Sequence, residues 1–536
     1  MNVQSYLVVN HYINNQKKII YIWIRQPNYS FSTDIISDDN CQNQYKLINQ
    51  ITMRSRYLVL SVSAFLCFIA LCNNSNAQVK LANLFTDDMV LQQQANVPIW
   101  GWDKAGSHIS VSTTWDKKIY HTVADASGRF MVKIATPVAG GPFKVTVSDG
   151  KPLTLKDVLI GEVWVCTGQS NMEIPMKGYK SQPILNSNEA ILNSTNPNIR
   201  LFTVPRGSKT TLQQDIKQSH WLAASPESVA KFSATGYYFG RLLSKMLNVP
   251  IGLISCNYAG SSIQAWMDPE TLKSFPKIKI PAPTDSIKEV SRTPTTLYNA
   301  MLQPIIGFGI KGSIWYQGES NYDNPAQYDS LFVTFVKTLR TKWGAGDFPF
   351  YYEQIAPYDY AQLPPYNKGG KYNSAFLRDV QRLDEDKIPN DGMAVLMDIG
   401  EQATIHPPRK QQAGERLAYL ALGKTYNFKG FGYQSPAYDS FAVKGSSAVI
   451  KFKNAANGLT SFLKEMNTFE IAGADKHFYP AKAQITGGSV TVSSDMVKEP
   501  VAVRYAFKDF VVGDLFGTDG LPVSSFRTDD WDYNVQ

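Results

Sequence analysis

Between Leu159 and Asp398 the chain returns five times to a short apolar run: Leu159 to Val165, Ile251 to Cys256, Ile310 to Trp315, Phe348 to Gln354 and Met393 to Asp398. Runs of this length without polar alternation read as strands buried on both faces, and such strands separated by helical stretches build a mostly parallel sheet. The stretches between them carry helix signals. Ser233 can cap a helix on which Tyr238, Leu242, Leu243 and Met246 share a stripe, and Leu331, Phe332, Phe335, Val336 and Leu339 form another before Trp343. A further helix is expected from Pro408 to Tyr426. These stripes are core packing, and the fold class they give is α/β with a mostly parallel five-stranded sheet.

Both flanks of this region change character. From Val79 to about Leu155 the runs Val97 to Trp100, Ile109 to Thr113, Phe130 to Ile134 and Phe143 to Val147 are separated by turns such as Asp125-Ala-Ser-Gly128. That spacing is expected of a small antiparallel sandwich. After Tyr426 come Ala448 to Phe452, Ser461 to Leu463, Thr468 to Ile471, Ser489 to Val492 and Val501 to Ala506, a second β-rich region. The expected domains are therefore 78–156 (β-sandwich-like), 157–428 (catalytic) and 429–536 (β-rich).

The amino-terminal stretch follows a different logic. Met53-Arg-Ser-Arg56 gives a basic start, Tyr57 to Leu71 an apolar run and Ser75-Asn-Ala77 a small-residue cleavage site, which together read as a secretory signal peptide over 53–77. Residues 1–52 lack a sustained period and read as a non-native or disordered extension, with Met53 as the expected start. Removal through Ala77 takes six basic and three acidic residues and lowers the net charge from +8 to +5. So mild an excess does not indicate a nucleic-acid partner. Cys166 and Cys256 are the two cysteines left, too few for a disulfide framework, and each ends a buried run, which favours free thiols over a single bridge. The expected location is secreted or periplasmic, without stable membrane insertion once the signal is cleaved.

Four segments carry chemistry, each at or beyond the end of an apolar run. In Gly161-Glu-Val-Trp-Val-Cys-Thr-Gly-Gln-Ser170-Asn-Met172 a strand runs into a glycine turn that presents a hydroxyl. A serine hydroxyl needs a neighbouring base and an oxyanion hole to act as a nucleophile. Cys256-Asn-Tyr-Ala-Gly260 can bring the Gly260 N–H close to a substrate oxygen, although a plain strand-to-helix turn has the same look. In Trp315-Tyr-Gln317-Gly-Glu319-Ser-Asn321 an amide, a carboxylate and a second amide follow a strand; Gln317 can donate to an oxyanion, Glu319 can orient neighbours, Asn321 can do either, and a capped loop explains each residue taken alone. Asp398-Ile-Gly-Glu401-Gln-Ala-Thr-Ile-His406-Pro supplies a histidine beyond a strand end, a candidate general base. No zinc-type His/Cys cluster and no phosphate-binding glycine loop occurs, so neither metal nor cofactor is expected.

Gly168-Gln-Ser-Asn-Met172, the Gly260 turn with Trp266, Trp315-Tyr-Gln-Gly-Glu-Ser-Asn321 and Ile405-His-Pro407, in this order, resemble the sialate O-acetylesterase family of SGNH hydrolases. Phe85-Thr-Asp-Asp-Met-Val-Leu-Gln92, Phe232 to Phe239, Leu297 to Met301 and Gly520 to Arg527 are similar to that family as well, so the resemblance spans about 79–536. It implies a flavodoxin-like catalytic domain and hydrolysis of acetyl esters on sugars, notably O-acetylated sialic acids. By position it implies Ser170 as nucleophile, His406 as general base, and an oxyanion hole of the Ser170 and Gly260 N–H groups plus Gln317, taken over Asn321. One departure stands out. Related hydrolases carry an aspartate two or three residues before the histidine, where this chain has Thr404 and Ala403. A Ser–His dyad held by a backbone carbonyl is the leading expectation, with Glu401 or Asp398 folding back as the second. Arg378, Arg409 and Lys410 are candidate cations for a substrate carboxylate. Acetylated xylan is the alternative substrate, and a glycan-binding protein with a decayed hydrolase site the alternative from another class.

Overall fold

The structure, a computed structural model, describes residues 7–13, 16–22, 79–362 and 373–531. Leu7–Ile13 and Gln16–Ile22 pair antiparallel in a unit of their own that ends at Asn76. They fall in the stretch where no order is expected; their Val, Ile and Tyr content carries β-propensity despite the interrupting Asn, Gln and Lys. The signal peptide expected at 53–77 lies outside the described residues.

Ala77–Gln536 form the second unit. Its central sheet contains β1 (Pro152–Gly168), β2 (Asn196–Thr203), β3 (Leu222–Ala224), β4 (Ile251–Asn257), β5 (Gly312–Tyr316), β6 (Phe350–Glu353) and β7 (Asp391–Ala394), in the order β3-β2-β4-β1-β5-β6-β7. All neighbours are parallel except the edge strand β3, which runs antiparallel to β2. The sheet thus has two strands more than the five expected. β2 escapes an apolar-run criterion because only Ile199 to Phe202 are buried, and one of these is Arg200, paired with Asp88 and Asp157. From β1 the chain fills one side of the sheet through β4, then crosses to β5 on the other. Strand order reverses at β1, and the crevice at its carboxyl end is where such sheets bind ligands.

Among the helices are α1 (Ser170–Glu173), α2 (Ala234–Leu247), α3 (Pro325–Trp343), α4 (Ala375–Asp384) and α5 (Lys410–Leu420). Alternate strand residues feed two cores: Trp164, Cys166, Ile314 and Tyr351 pack with α2 and α5, while Val163, Val165, Trp315 and Tyr352 pack with α3. Ser233 caps α2 as expected, accepting from the Gly236 N–H; of the expected stripe Tyr238 and Leu243 are buried and Leu242 partly so, but Met246 is exposed, and Tyr237 and Phe239 are buried beside them. The helix expected to begin at Pro408 begins at Lys410 and widens into a π-helical turn over Ala421–Thr425. Cys166 and Cys256 are buried free thiols.

β1 belongs to two layers. Its first part, Pro152 to Ile160, pairs antiparallel with Gly140–Ser148, and Glu162 to Gly168 lie between β4 and β5. The boundary expected at 156/157 therefore falls inside one continuous strand. Asn96–Trp102 and Arg129–Ala135 pair in the facing layer, with Phe130, Val132 and Ile134 turned inward by strict alternation. In the carboxyl-terminal flank, Ala437–Lys444, Ser447–Lys453, Ser489–Ser493 and Lys482–Thr486 form one sheet, and Phe478–Pro480, Phe469–Ala472, Ala502–Tyr505 and Phe526–Arg527 another. The strand expected at Ser461 to Leu463 is instead Leu459–Thr460, and Phe462 and Leu463 form a turn with φ of 54° and 60°. Leu463 is fully exposed there, so its apolar character marks no buried strand.

Candidate active site

Gly168 ends β1 with φ 142°, and a Cβ on it would lie 2.1 Å from the Tyr316 carbonyl oxygen. Only glycine lets β1 close so tightly on β5 before the chain turns into α1. Ser170 opens α1 and is 7% exposed. Gln169 fixes this turn to the third motif: its N–H donates to Tyr316 O at 2.9 Å, and its side-chain oxygen accepts the Ser320 N–H at 3.2 Å.

The Gly260 turn is tied to the same elbow, because the Tyr258 N–H donates to Gly168 O at 3.1 Å and the Ala259 N–H to Glu173 at 2.8 Å. Gly260 has φ 69°, and a Cβ there would meet only Ser291 Oγ at an ordinary 3.7 Å, so conformation rather than crowding calls for glycine. Among the described residues, the N–H groups of Ser170 and Gly260 donate to no protein acceptor.

Gln317 is fully buried and donates both side-chain hydrogens internally, to Ser261 O at 3.0 Å and to Asn321 Oδ1 at 2.8 Å. Gln317, expected as an oxyanion donor, thus has both side-chain hydrogens engaged within the protein. Asn321 is placed differently. Its Oδ1 also accepts the Ile263 N–H at 3.0 Å, which fixes the amide orientation, and its Nδ2 donates one hydrogen to Gln264 at 3.0 Å, leaving the second.

Asn171, next to the nucleophile candidate, joins three motifs. Its Nδ2 donates to Glu319 at 2.5 Å and to Ile405 O at 3.0 Å, while its Oδ1 accepts from Lys410 Nζ at 2.5 Å. Glu319 thus braces Asn171, and burial raises its carboxyl above the usual range. Burial pushes Lys410 down to about 7, against the pull of Glu319 and Glu353.

His406 Nδ1 lies 2.5 Å from the side-chain oxygen of Gln182, and the ring of Tyr179 stands edge-on at 5.8 Å. Burial, reinforced by the charge of Lys410, pushes the imidazole down to about 3. The ring is therefore neutral at pH 7. The expected orienters are not its partners: Asp398 is bidentate to Arg416 at 2.6 and 2.7 Å, and among the described residues neither Glu401 nor a backbone carbonyl bonds the ring. A side-chain amide 224 residues upstream takes that place. Tyr179-Lys-Ser-Gln182 has no pattern that announces it, because the contact depends on tertiary closure alone.

Residues 160–418 match the family described as carbohydrate esterase, sialic acid-specific acetylesterase. A crystal structure of a carbohydrate acetylesterase from Xanthomonas citri is similar with a TM-score of 0.77 and 34% identity, over 84% of this chain and 100% of that one. The chain belongs to this acetylesterase family. Curated sialate O-acetylesterases of Homo sapiens and Pongo abelii are each 28% identical to it, over 80% of this chain and 87% of theirs.

In this acetylesterase a cleft of about 260 Å³ adjoins the site, lined among others by Glu173, Tyr179, Arg206, Lys231 and Asn257. Arg206 pairs with Glu173 at 2.7 Å and lies over the Tyr258 ring. The cations expected to meet a substrate carboxylate lie elsewhere or are engaged. Arg378 is buried and donates to Ser374, Lys508, Asp509 and Ser525, Arg409 donates to Asp398 O, and Lys410 sits beneath Asn171. Arg206, itself engaged by Glu173, and Lys231 line this cleft, and sequence reasoning missed both because neither belongs to a motif.

Proposed function

We propose that this acetylesterase removes O-acetyl groups from sialic acids by a serine mechanism on a flavodoxin-like SGNH hydrolase fold. Ser170 Oγ attacks the acetyl carbonyl while His406 Nε2 takes its proton. The oxyanion receives the N–H groups of Ser170 and Gly260 and the spare Nδ2 hydrogen of Asn321. The tetrahedral intermediate then collapses, the sugar oxygen leaves with the proton held by His406, and water attacks the acetyl-serine by the same path in reverse. What supports this reading is that the Asn171 side chain ties the residue after Ser170 to the Ile405 carbonyl beside His406, while the Ser170 and Gly260 N–H groups meet no protein acceptor among the described residues, in a chain of the acetylesterase family.

The substrate reading rests on the sialate O-acetylesterases among its relatives and on Arg206 and Lys231 beside the cleft, which suit an acidic sugar. Acetylated xylan or another hemicellulose is the second reading, with which the likeness to a carbohydrate acetylesterase at 34% identity is equally compatible. Within this proposal 78–156 and 429–536 are β-rich flanks of a catalytic part at 157–428, and the protein is secreted or periplasmic through a signal peptide at 53–77. Among the described residues no helix is long and apolar enough to cross a membrane.

The test is acetate release from O-acetylated sialic acid and from acetylated xylan by the wild type and Ser170→Ala. Release from the sialic acid that vanishes in the variant supports the proposal. Turnover that survives Ser170→Ala removes the serine mechanism, and release from xylan alone replaces the substrate.

A further inference from the structure

A histidine that acts as base through Nε2 needs its other proton fixed on Nδ1, and a buried carboxylate usually does this. Here the acceptor facing Nδ1 at 2.5 Å is the Gln182 side-chain oxygen. We infer that Gln182 is the positioning residue of this site, a neutral acceptor standing in for the carboxylate that the loop before His406 lacks; the inference rests on the serine–histidine reading above.

The surroundings of Gln182 are built to hold it. Tyr179 and Gln182 exchange both backbone hydrogen bonds, 3.1 and 3.0 Å, so a two-residue turn closes directly beside the base. Gly178, φ 77°, precedes it; a Cβ there would lie 2.4 Å from Gln182 O, so the turn closes only on glycine. Upstream, the Met176 and Lys177 N–H groups donate to Phe232 O and Ala230 O, and downstream the Leu185 N–H donates to Pro408 O, two residues past His406. The hairpin is pinned at both ends, once to the base's own loop. The Tyr179 ring then fixes the plane of the imidazole from the same hairpin.

An amide fixes the tautomer but cannot neutralise the imidazolium that forms during attack. The charged groups around the ring do not supply that charge either. Lys410 approaches from α5, Glu319 is separated from it by Asn171, Glu173 is paired with Arg206 beyond Tyr179, and Glu401 on the ring's own loop is unbonded to it. A carboxylate at position 182 would therefore face the ring as its nearest opposite charge.

Three forms of the full chain, wild type, Gln182→Glu and Gln182→Met, test this by two readouts. The first is the imidazole tautomer of His406 from nitrogen-15 shifts in the resting protein, which requires no turnover and so stands or falls apart from the esterase reading. Wild type is expected to hold the proton on Nδ1, and Gln182→Met to populate both tautomers. The second is the pH profile of kcat/KM on an acetyl ester. Gln182→Met should lose on the order of 10²-fold in kcat with KM little changed. Gln182→Glu should move the acid limb upward by about one pH unit or more, since an opposite charge within reach of a titrating group shifts it by that much. A residue that merely packs would leave the limb in place in both variants. A wild-type proton on Nε2, or an acid limb unmoved in Gln182→Glu, overturns the inference.

Discussion

The side-chain Nδ2 of Asn171 lies 3.0 Å from the carbonyl oxygen of Ile405, so the residue after Ser170 holds the residue before His406. Nucleophile and base candidates come from segments more than two hundred residues apart, and this one amide sets their spacing. Its other bonds, to Glu319 and Lys410, make it a hub rather than a single link.

Asn171→Ala should be costly in two ways. It leaves Lys410 without its 2.5 Å partner in a buried site, a loss of about 2–4 kcal/mol. It also frees the Ile405 carbonyl, so kcat should fall more than KM rises. Chemical denaturation and steady-state kinetics on one preparation check both, and an unchanged denaturation midpoint would contradict the hub.

Two glycines should respond differently to alanine. At Gly168 the new Cβ meets the Tyr316 carbonyl at 2.1 Å, and neither backbone can yield without breaking the β1–β5 pairing, so Gly168→Ala should fail to accumulate as a folded protein. At Gly260 the nearest atom is 3.7 Å away and only the positive φ is strained, which costs about 1–2 kcal/mol. Gly260→Ala should fold, and its residual activity reports whether the N–H still reaches the ester.

Asn321→Ala should lower kcat by about 10²–10³-fold with little change in KM, the signature of a lost oxyanion donor. Gln317→Ala removes two internal bonds instead and should appear first as a lower melting temperature. If Gln317→Ala gave the pure kcat loss and Asn321→Ala did not, the two roles would have to be exchanged.

The acid limb of activity should lie low. Burial moves His406 from its ordinary 6.5 to about 3, so the base stays unprotonated well below the usual histidine range. A pH–rate profile should stay level down to roughly pH 5. The sign for stability is opposite. Between 6.5 and about 3 the unfolded chain binds a proton that the folded site refuses, so this group makes the fold progressively less stable as pH falls through that window. His406→Phe should flatten that part of a stability-versus-pH curve.

Apolar strands were readable because burial on both faces demands uninterrupted Val, Ile, Leu and aromatic residues, as in β4 and β5. β2 was not, because Arg200 inside it is tolerated only through Asp88 and Asp157, partners far away in sequence. The same division runs through the site. Ser170, Gly260 and Asn321 stand just past strand ends that hydrophobic patterning reveals, and His406 lies in the long loop that follows another. The choice between Gln317 and Asn321 depends on which amide spends its hydrogens internally, and the partner of His406 on where a distant hairpin docks. Neither leaves a local trace in the residues themselves.

The strand that begins as one layer of the amino-terminal flank and ends at Gly168 makes that flank a gauge for the nucleophile. Side chains along β1 alternate between faces, so a single residue inserted or deleted upstream of Glu162 would invert every contact from there to the elbow. The slack lies between Leu155 and Ile160, where the pairing with Gly140–Ser148 already shifts register. Length changes in this protein should be absorbed in that short stretch or not at all, and a truncation that starts at residue 157 would set the elbow adrift from the layer that measures its position.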